Sequence, residues 1–220
     1  MKLEIACFDA ESAGLAAENG ADRIELCDNY SLGGVTPPLA VLKDLKSRFD
    51  LPVYVMIRPR GGDFVYSNDE FEAMKAALST YKDNGADGFV FGILNKADKI
   101  NTAQNRELVK LAGDKPCTFH RAFDRIGDKE DALEKLIEIG FKTVLTSGGE
   151  HPAVEGISTL KALHRQAKNR ITILVGGGIR STNVGQFRDF DFVHSASVNP
   201  NTADLNLEEL KRLRAEIDSF

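Results

Sequence analysis

Apolar and polar positions along the chain form a repeating unit. A stretch with helical spacing ends at a Gly or turn, and a short run of β-branched and aromatic residues follows. Asn19-Gly20-Ala21-Asp22 precedes Arg23-Ile24-Glu25-Leu26, and Asn84-Gly85-Ala86-Asp87 precedes Gly88-Phe89-Val90-Phe91. Ile139-Gly140-Phe141-Lys142 stands in the same way before Thr143-Val144-Leu145-Thr146. The glycine supplies the left-handed residue that stops a helix, and the residues after it favour a strand. Read this way, the chain has eight strands: Leu3–Phe8, Arg23–Cys27, Val53–Arg58, Gly88–Gly92, Cys117–Arg121, Thr143–Ser147, Ile171–Gly176 and Phe192–Ser195. Helices are expected between them and at the end, over Ser12–Asn19, Pro38–Phe49, Asp69–Asn84, Ala103–Ala112, Asp128–Ile139, Val154–Lys168, Thr182–Phe187 and Leu207–Ile217.

Strict alternation of strand and helix implies parallel strands joined by right-handed crossovers. Eight such units predict an α/β fold, a single-domain parallel (β/α)8 TIM-type barrel spanning residues 1–220. An open doubly wound sheet is the alternative, but no Gly-x-Gly-x-x-Gly follows the first strand, which weakens a dinucleotide-binding reading.

Side chains alternate along a strand, so the apolar residues that face the helices leave the others inside. Ile24 and Leu26 outward place Arg23, Glu25 and Cys27 inward; Val55 and Ile57 outward place Tyr54, Met56 and Arg58 inward. The same rule turns Glu4, Thr118 and His120 inward, and Cys7 and Cys117 outward. Charged groups at strand exits are unexpected on packing grounds, yet the strand exits of a closed parallel barrel are where chemistry is built. Glu25, Arg58 and His120 therefore read either as a structural ion-pair cluster or as a site. In the second reading two nearby carboxylates raise one pKa, so that Glu25 and His120 exchange protons. His194 lies at the rim with its orientation unassigned.

Glycine-rich loops extend the set. In Arg58-Pro59-Arg60-Gly61-Gly62-Asp63 the two arginines suit a carboxylate or phosphate; the plainer alternative is a rigid turn with Arg60 and Asp63 paired. Ser147 and Gly148 after the sixth strand, and Gly176, Gly177 and Gly178 after the seventh, suit an anion cradle at a helix N-terminus, with Ser181 as its cap. The plainer reading there is close packing of strand and helix.

Composition narrows the partners. The 220 residues are 42% hydrophobic, carry a net charge of −5 and show no basic stripe, which argues against nucleic acid. No apolar run reaches membrane-spanning length, and an acid at Glu4 interrupts what a signal peptide needs, so a cytoplasmic location is expected. Three cysteines without paired spacing argue against a disulfide framework. Nothing in the Cys, Met and His spacing marks a dedicated copper or zinc site, although Cys27, Met56 and His120 are inward candidates for a soft metal.

Longer motifs add a resemblance. Gly20-Ala21-Asp22-Arg23-Ile24-Glu25-Leu26-Cys27, Gly33-Gly34-Val35-Thr36-Pro37, Ile57-Arg58-Pro59-Arg60-Gly61-Gly62-Asp63-Phe64-Val65-Tyr66-Ser67, Thr118-Phe119-His120-Arg121-Ala122-Phe123-Asp124 and Val144-Leu145-Thr146-Ser147-Gly148 resemble those of the CutC-type copper homeostasis family over nearly the whole chain. The resemblance implies an eight-stranded barrel, a cytoplasmic homo-oligomer, often a dimer, and Cu(I) binding with Cys27 as a ligand. Where some members place a second cysteine, near the third strand, this chain has Met56, and Asn199-Pro200-Asn201 leads quickly to the last helix. Three functions follow: a copper homeostasis protein, a barrel enzyme acting on a small anionic or phosphorylated molecule, and a non-catalytic module binding such an anion.

Overall fold

A computed structural model describes residues 1–199 and 204–220; part of the Asn199-Pro200-Asn201 connection lies outside them. Eight strands close into a parallel barrel in chain order. They are β1 (Lys2–Cys7), β2 (Arg23–Leu26), β3 (Val53–Met56), β4 (Gly88–Phe91), β5 (Cys117–Phe119), β6 (Thr143–Thr146), β7 (Thr172–Val175) and β8 (Phe192–Ser195). Around them lie α1 (Ala10–Glu18), α2 (Leu39–Arg48), α3 (Asn68–Asp83), α4 (Thr102–Ala112), α5 (Lys129–Ile139), α6 (Ile157–Ala167) and α7 (Leu207–Asp218). The fold is the TIM-type barrel that the alternation predicts. Gly20, Gly85 and Gly140, which punctuate the repeated unit, all take positive φ (96°, 90° and 108°). Among the described residues no helix is long and apolar enough to cross a membrane.

The period-two reading sorts the side chains as expected. Ile24, Leu26, Val55, Phe89, Phe119 and Val144 face outward into one large core beneath the helices, and Cys7 and Cys117 lie with them. Each fully buried Leu or Phe of this layer contributes about 1.5–3 kcal/mol by leaving water. Inside the barrel is a much smaller apolar cluster of Cys27, Tyr54, Met56 and Val90. Ala6 and Leu145 also face the interior, among polar groups that include Glu4, Glu25 and His194. At the N-terminal end the Arg23 guanidinium lies against the rings of Tyr54 and Phe192, 4.1 and 4.3 Å from their centroids.

Several boundaries depart from expectation, and three of the departures have a cause in side-chain hydrogen bonds. The helix expected over Thr182–Phe187 is only a 3-10 turn, Val184–Phe187. Ser181 does not cap it; its N–H and hydroxyl donate to the Glu209 carboxylate in the first turn of α7, at 2.7 and 3.0 Å. The loop after β7 is thereby fastened to the last helix, and no full helix N-terminus stands there to receive an anion. The fifth strand stops at Phe119 rather than Arg121, because His120 Nδ1 accepts the Ala122 N–H and opens a second 3-10 turn, Arg121–Arg125. Helix α1 begins two residues early because the Asp9 carboxylate caps it by accepting from Ser12 N.

Candidate functional site

Register builds the polar interior. Glu4 of β1 stands opposite Arg23 of β2 on one side and His194 of β8 on the other. Arg23 Nε donates to Glu4 Oε2 at 2.5 Å, and His194 Nδ1 lies 2.8 Å from Glu4 Oε1. The far side of the imidazole, Nε2, is 3.9 Å from Glu25 Oε2, which accepts the Cys27 thiol at 3.6 Å. Glu25 Oε1 has no hydrogen-bond partner among the described residues. A line of groups thus runs across β2, β1 and β8 from Arg23 through Glu4 and His194 to Glu25.

Burial and neighbours set the charges. Burial pushes the Glu4 carboxyl up, but Arg23 and His194 outweigh it and hold Glu4 below the usual carboxylate range. Burial pushes Glu25 up as well; His194 pulls it back, Glu4 repels, and the result is about 7. For His194, burial disfavours the charged ring, but Glu25 and Glu4 favour it and the net direction is upward. Glu4 and Arg23 cancel one another, and Glu25 and His194 remain as a coupled pair in which each charge favours the other. Burial and the Glu25 charge beside it hold the Cys27 thiol well above 9.

This line ends at a cavity of about 190 Å³ in the barrel mouth. Phe8, Tyr30, Met56, Phe64 and Leu145 form apolar walls; Glu25, Cys27, His120, Arg121 and His194 supply the chemistry. Burial, helped by the Arg58 charge, lowers the His120 pKa to about 3, so the ring is neutral. With Nδ1 accepting from Ala122, the proton sits on Nε2, a buried donor that has no partner among the described residues.

The other sequence-predicted residues are placed differently. Arg58 reaches the cavity wall, but its Nη1 donates to the carbonyls of Leu32, Gly33 and Gly34 at 3.0, 3.2 and 2.9 Å. Its Nη2 donates to Gly62 O at 3.1 Å. The guanidinium therefore ties down the loop between β2 and α2. Arg60 lies outside the cavity wall, paired with Glu70 at 2.5 Å and Asp63 at 3.0 Å, and Glu70 also closes the capping box of α3 with Ser67.

The anion cradle expected at Ser147 and Gly148 holds the protein's own carboxylate. Asp124 accepts from Thr146 Oγ1 at 2.5 Å, Ser147 N at 3.0 Å, Ser147 Oγ at 2.9 Å and Arg121 Nε at 2.8 Å. Gly176 packs where a Cβ would fall 2.5 Å from Leu145, and one at Gly177 would fall 2.9 Å from Ser147 Cβ. A Cβ at Gly178 would lie 3.3 Å from Pro152. Two participants, Arg121 and Asp124, stand in the Thr118–Asp124 motif with no role assigned from the sequence, and their i,i+3 spacing is the signal that pairs them. For His194 the signal was the outward Val193 beside it, which turns the imidazole inward.

For a metal, ligand atoms of Glu4, Glu25 and His194 lie within 4.8 Å of one another. This is a hard oxygen and nitrogen set, with Glu4 already engaged by Arg23. The soft donors, Cys27 and Met56, sit beside it with the thiol protonated.

A parallel barrel with a small, partly charged cavity at its C-terminal mouth defines the class: a TIM-type barrel protein with charged and polar groups gathered at the strand exits. The chain belongs to the CutC family, whose model matches residues 1–199. It is 47% identical over 182 residues to the copper homeostasis protein cutC homolog of Homo sapiens, covering 83% of this chain and 67% of that one. It is 42% identical over 224 residues to a CutC family protein of Proteus mirabilis (strain HI4320), covering 100% and 89%. A crystal structure described as the copper homeostasis protein CutC of Streptococcus agalactiae superimposes with a TM-score of 0.85 at 32% identity, over 89% of this chain and 98% of that one.

Proposed function

We propose that the mouth cavity is the working site and that it carries out proton transfer on a small bound molecule. One observation carries this reading: the line Arg23–Glu4–His194–Glu25 ends at the cavity with a carboxylate oxygen that has no partner among the described residues. Glu4 fixes the His194 ring through Nδ1, so Nε2 can pass a proton to or from Glu25. The neutral His120 ring, with its proton on Nε2, donates a hydrogen bond to a ligand oxygen. Incubating the protein in D2O with a pool of small metabolites tests the reading by NMR. Deuterium should enter one carbon-bound position of one compound and fail to do so with Glu25→Gln. Exchange indifferent to Glu25, or no exchange in any compound, would sink it.

A second reading is Cu(I) binding, favoured by Cys27 and Met56 sharing the cavity wall and by the copper homeostasis name of the relatives. Cys27 and Met56 would hold the ion as soft donors, and the thiol proton would pass to the Glu25 carboxylate that already accepts it. Copper here is the cargo to be held. An anaerobic competition titration against a chelator of known affinity, with Cys27→Ser beside the parent, separates the readings. Stoichiometric binding lost in the variant supports copper; binding indifferent to Cys27 excludes it. The resemblance also supports a cytoplasmic homodimer, and sedimentation velocity should find twice the chain mass.

A further inference from the structure

We infer that Arg121 is the anion handle of this cavity, and that the cavity takes a small organic carboxylate or phosphate ester with an apolar body about one ring in size. The inference rests on the mouth cavity being the working site and adds the class of molecule it receives.

Among the arginines near the mouth, Arg58 is already committed. Its Nη groups donate to four backbone carbonyls, and releasing them would free the loop that walls the cavity. Arg121 is held by one edge only. Nε donates to Asp124 Oδ2 at 2.8 Å and Nη2 to Ser147 Oγ at 3.2 Å, while Nη1 has no partner among the described residues. A guanidinium carries five N–H donors in a rigid fork. Fixing one edge leaves the other oriented and able to meet two oxygens of a carboxylate or phosphate side by side.

Asp124 is itself pinned by Thr146 and Ser147, so the arginine is aimed by groups that do not move with the ligand. Gly177 completes the seat: a Cβ there would come within 3.6 Å of the guanidinium carbon. Both glycine-bearing loops therefore take part, but as the frame around a cationic side chain. With 39% of its side chain exposed, Arg121 stays hydrated until a ligand displaces water.

The rest of the cavity limits the ligand. Phe8, Tyr30, Met56, Phe64 and Leu145 form an apolar wall. The volume of about 190 Å³ compares with a cavity of about 150 Å³ that accepts benzene. An anionic head on Arg121 with one ring's worth of carbon fits both the charge and the space.

Calorimetric titration of the intact chain with benzoate, phenyl phosphate and neutral benzyl alcohol tests this. At least one anion should bind, with benzyl alcohol about tenfold weaker or worse. Arg121→Gln should lose about tenfold in anion affinity, Arg121→Lys should retain part of it, and Arg170→Gln, far from the mouth, should match the parent. Melting curves establish that each variant is folded; if Arg121→Gln is not, a lower anion affinity in Arg121→Lys carries the test. No binding of either anion, or binding unchanged in the Arg121 variants, overturns the inference. Glu25→Gln should still bind the anion, so loss of the handle and loss of proton transfer are read separately, by calorimetry and by deuterium exchange.

Discussion

Glu25→Gln keeps the shape of the protonated acid but has no proton to lose. In the fold, burial holds the Glu25 proton up to about pH 7; in the unfolded chain the carboxyl releases it near its ordinary value of 4.5. Between those values the folded state binds more protons than the unfolded state, so the stability contributed by Glu25 is fully present at low pH. It is lost as pH rises toward 7. At about 1.4 kcal/mol per pH unit the interval is worth about 3 kcal/mol. The pull of the His194 charge on the carboxylate is already contained in that interval. Urea unfolding of parent and variant, at steps from about pH 4 to about pH 8, reads the difference directly, since every other carboxylate is common to both. The variant should gain on the parent steadily across the interval and level off above it. A difference that stays constant with pH would mean that Glu25 titrates as an ordinary surface acid, and the coupled pair would have to be abandoned.

The neutral His120 ring should show no titration of its ring-proton NMR signals from about pH 5 to about pH 8; a midpoint near the ordinary 6.5 would contradict its burial beside Arg58. Asp124→Ala strips the acceptor from Thr146 Oγ1, Ser147 N and Ser147 Oγ. It should cost about 2–4 kcal/mol in urea unfolding, and a loss below about 0.5 kcal/mol would show that water replaces the carboxylate without penalty. With the Cys27 thiol held protonated, iodoacetamide should label it at neutral pH at least about tenfold more slowly in the native protein than in urea. Equal rates would show a thiol as accessible and as readily ionised as in the unfolded chain, against its burial beside Glu25.

Much of the fold was legible because its signals are local and repeated. A left-handed glycine before each run at 20, 85 and 140 marks where helix yields to strand, and alternation then assigns Glu25, Cys27 and His120 to the interior. What escaped is non-local. Nothing near Arg58 announces that the carbonyls of Leu32, Gly33 and Gly34 will converge on it. Likewise nothing near Ser147 reveals that Asp124 will fill its amide and hydroxyl nest. The six residues Thr182–Phe187 were too short to hold a helix once Ser181 was drawn away to Glu209. The glycine loops suggested an open cradle, and their side-chain surroundings turned them into packing and framing.

Arg23, pressed against Tyr54 and Phe192 and bonded to Glu4, plugs the lower end of the barrel. The interior is consequently a cup rather than a tube. On the proposed reading, a molecule that enters through the mouth departs by the same doorway, so a spent one must clear before a fresh one is seated. Traffic would then be sequential, and a compound shaped like the departing molecule would compete with the arriving one instead of occupying a separate berth.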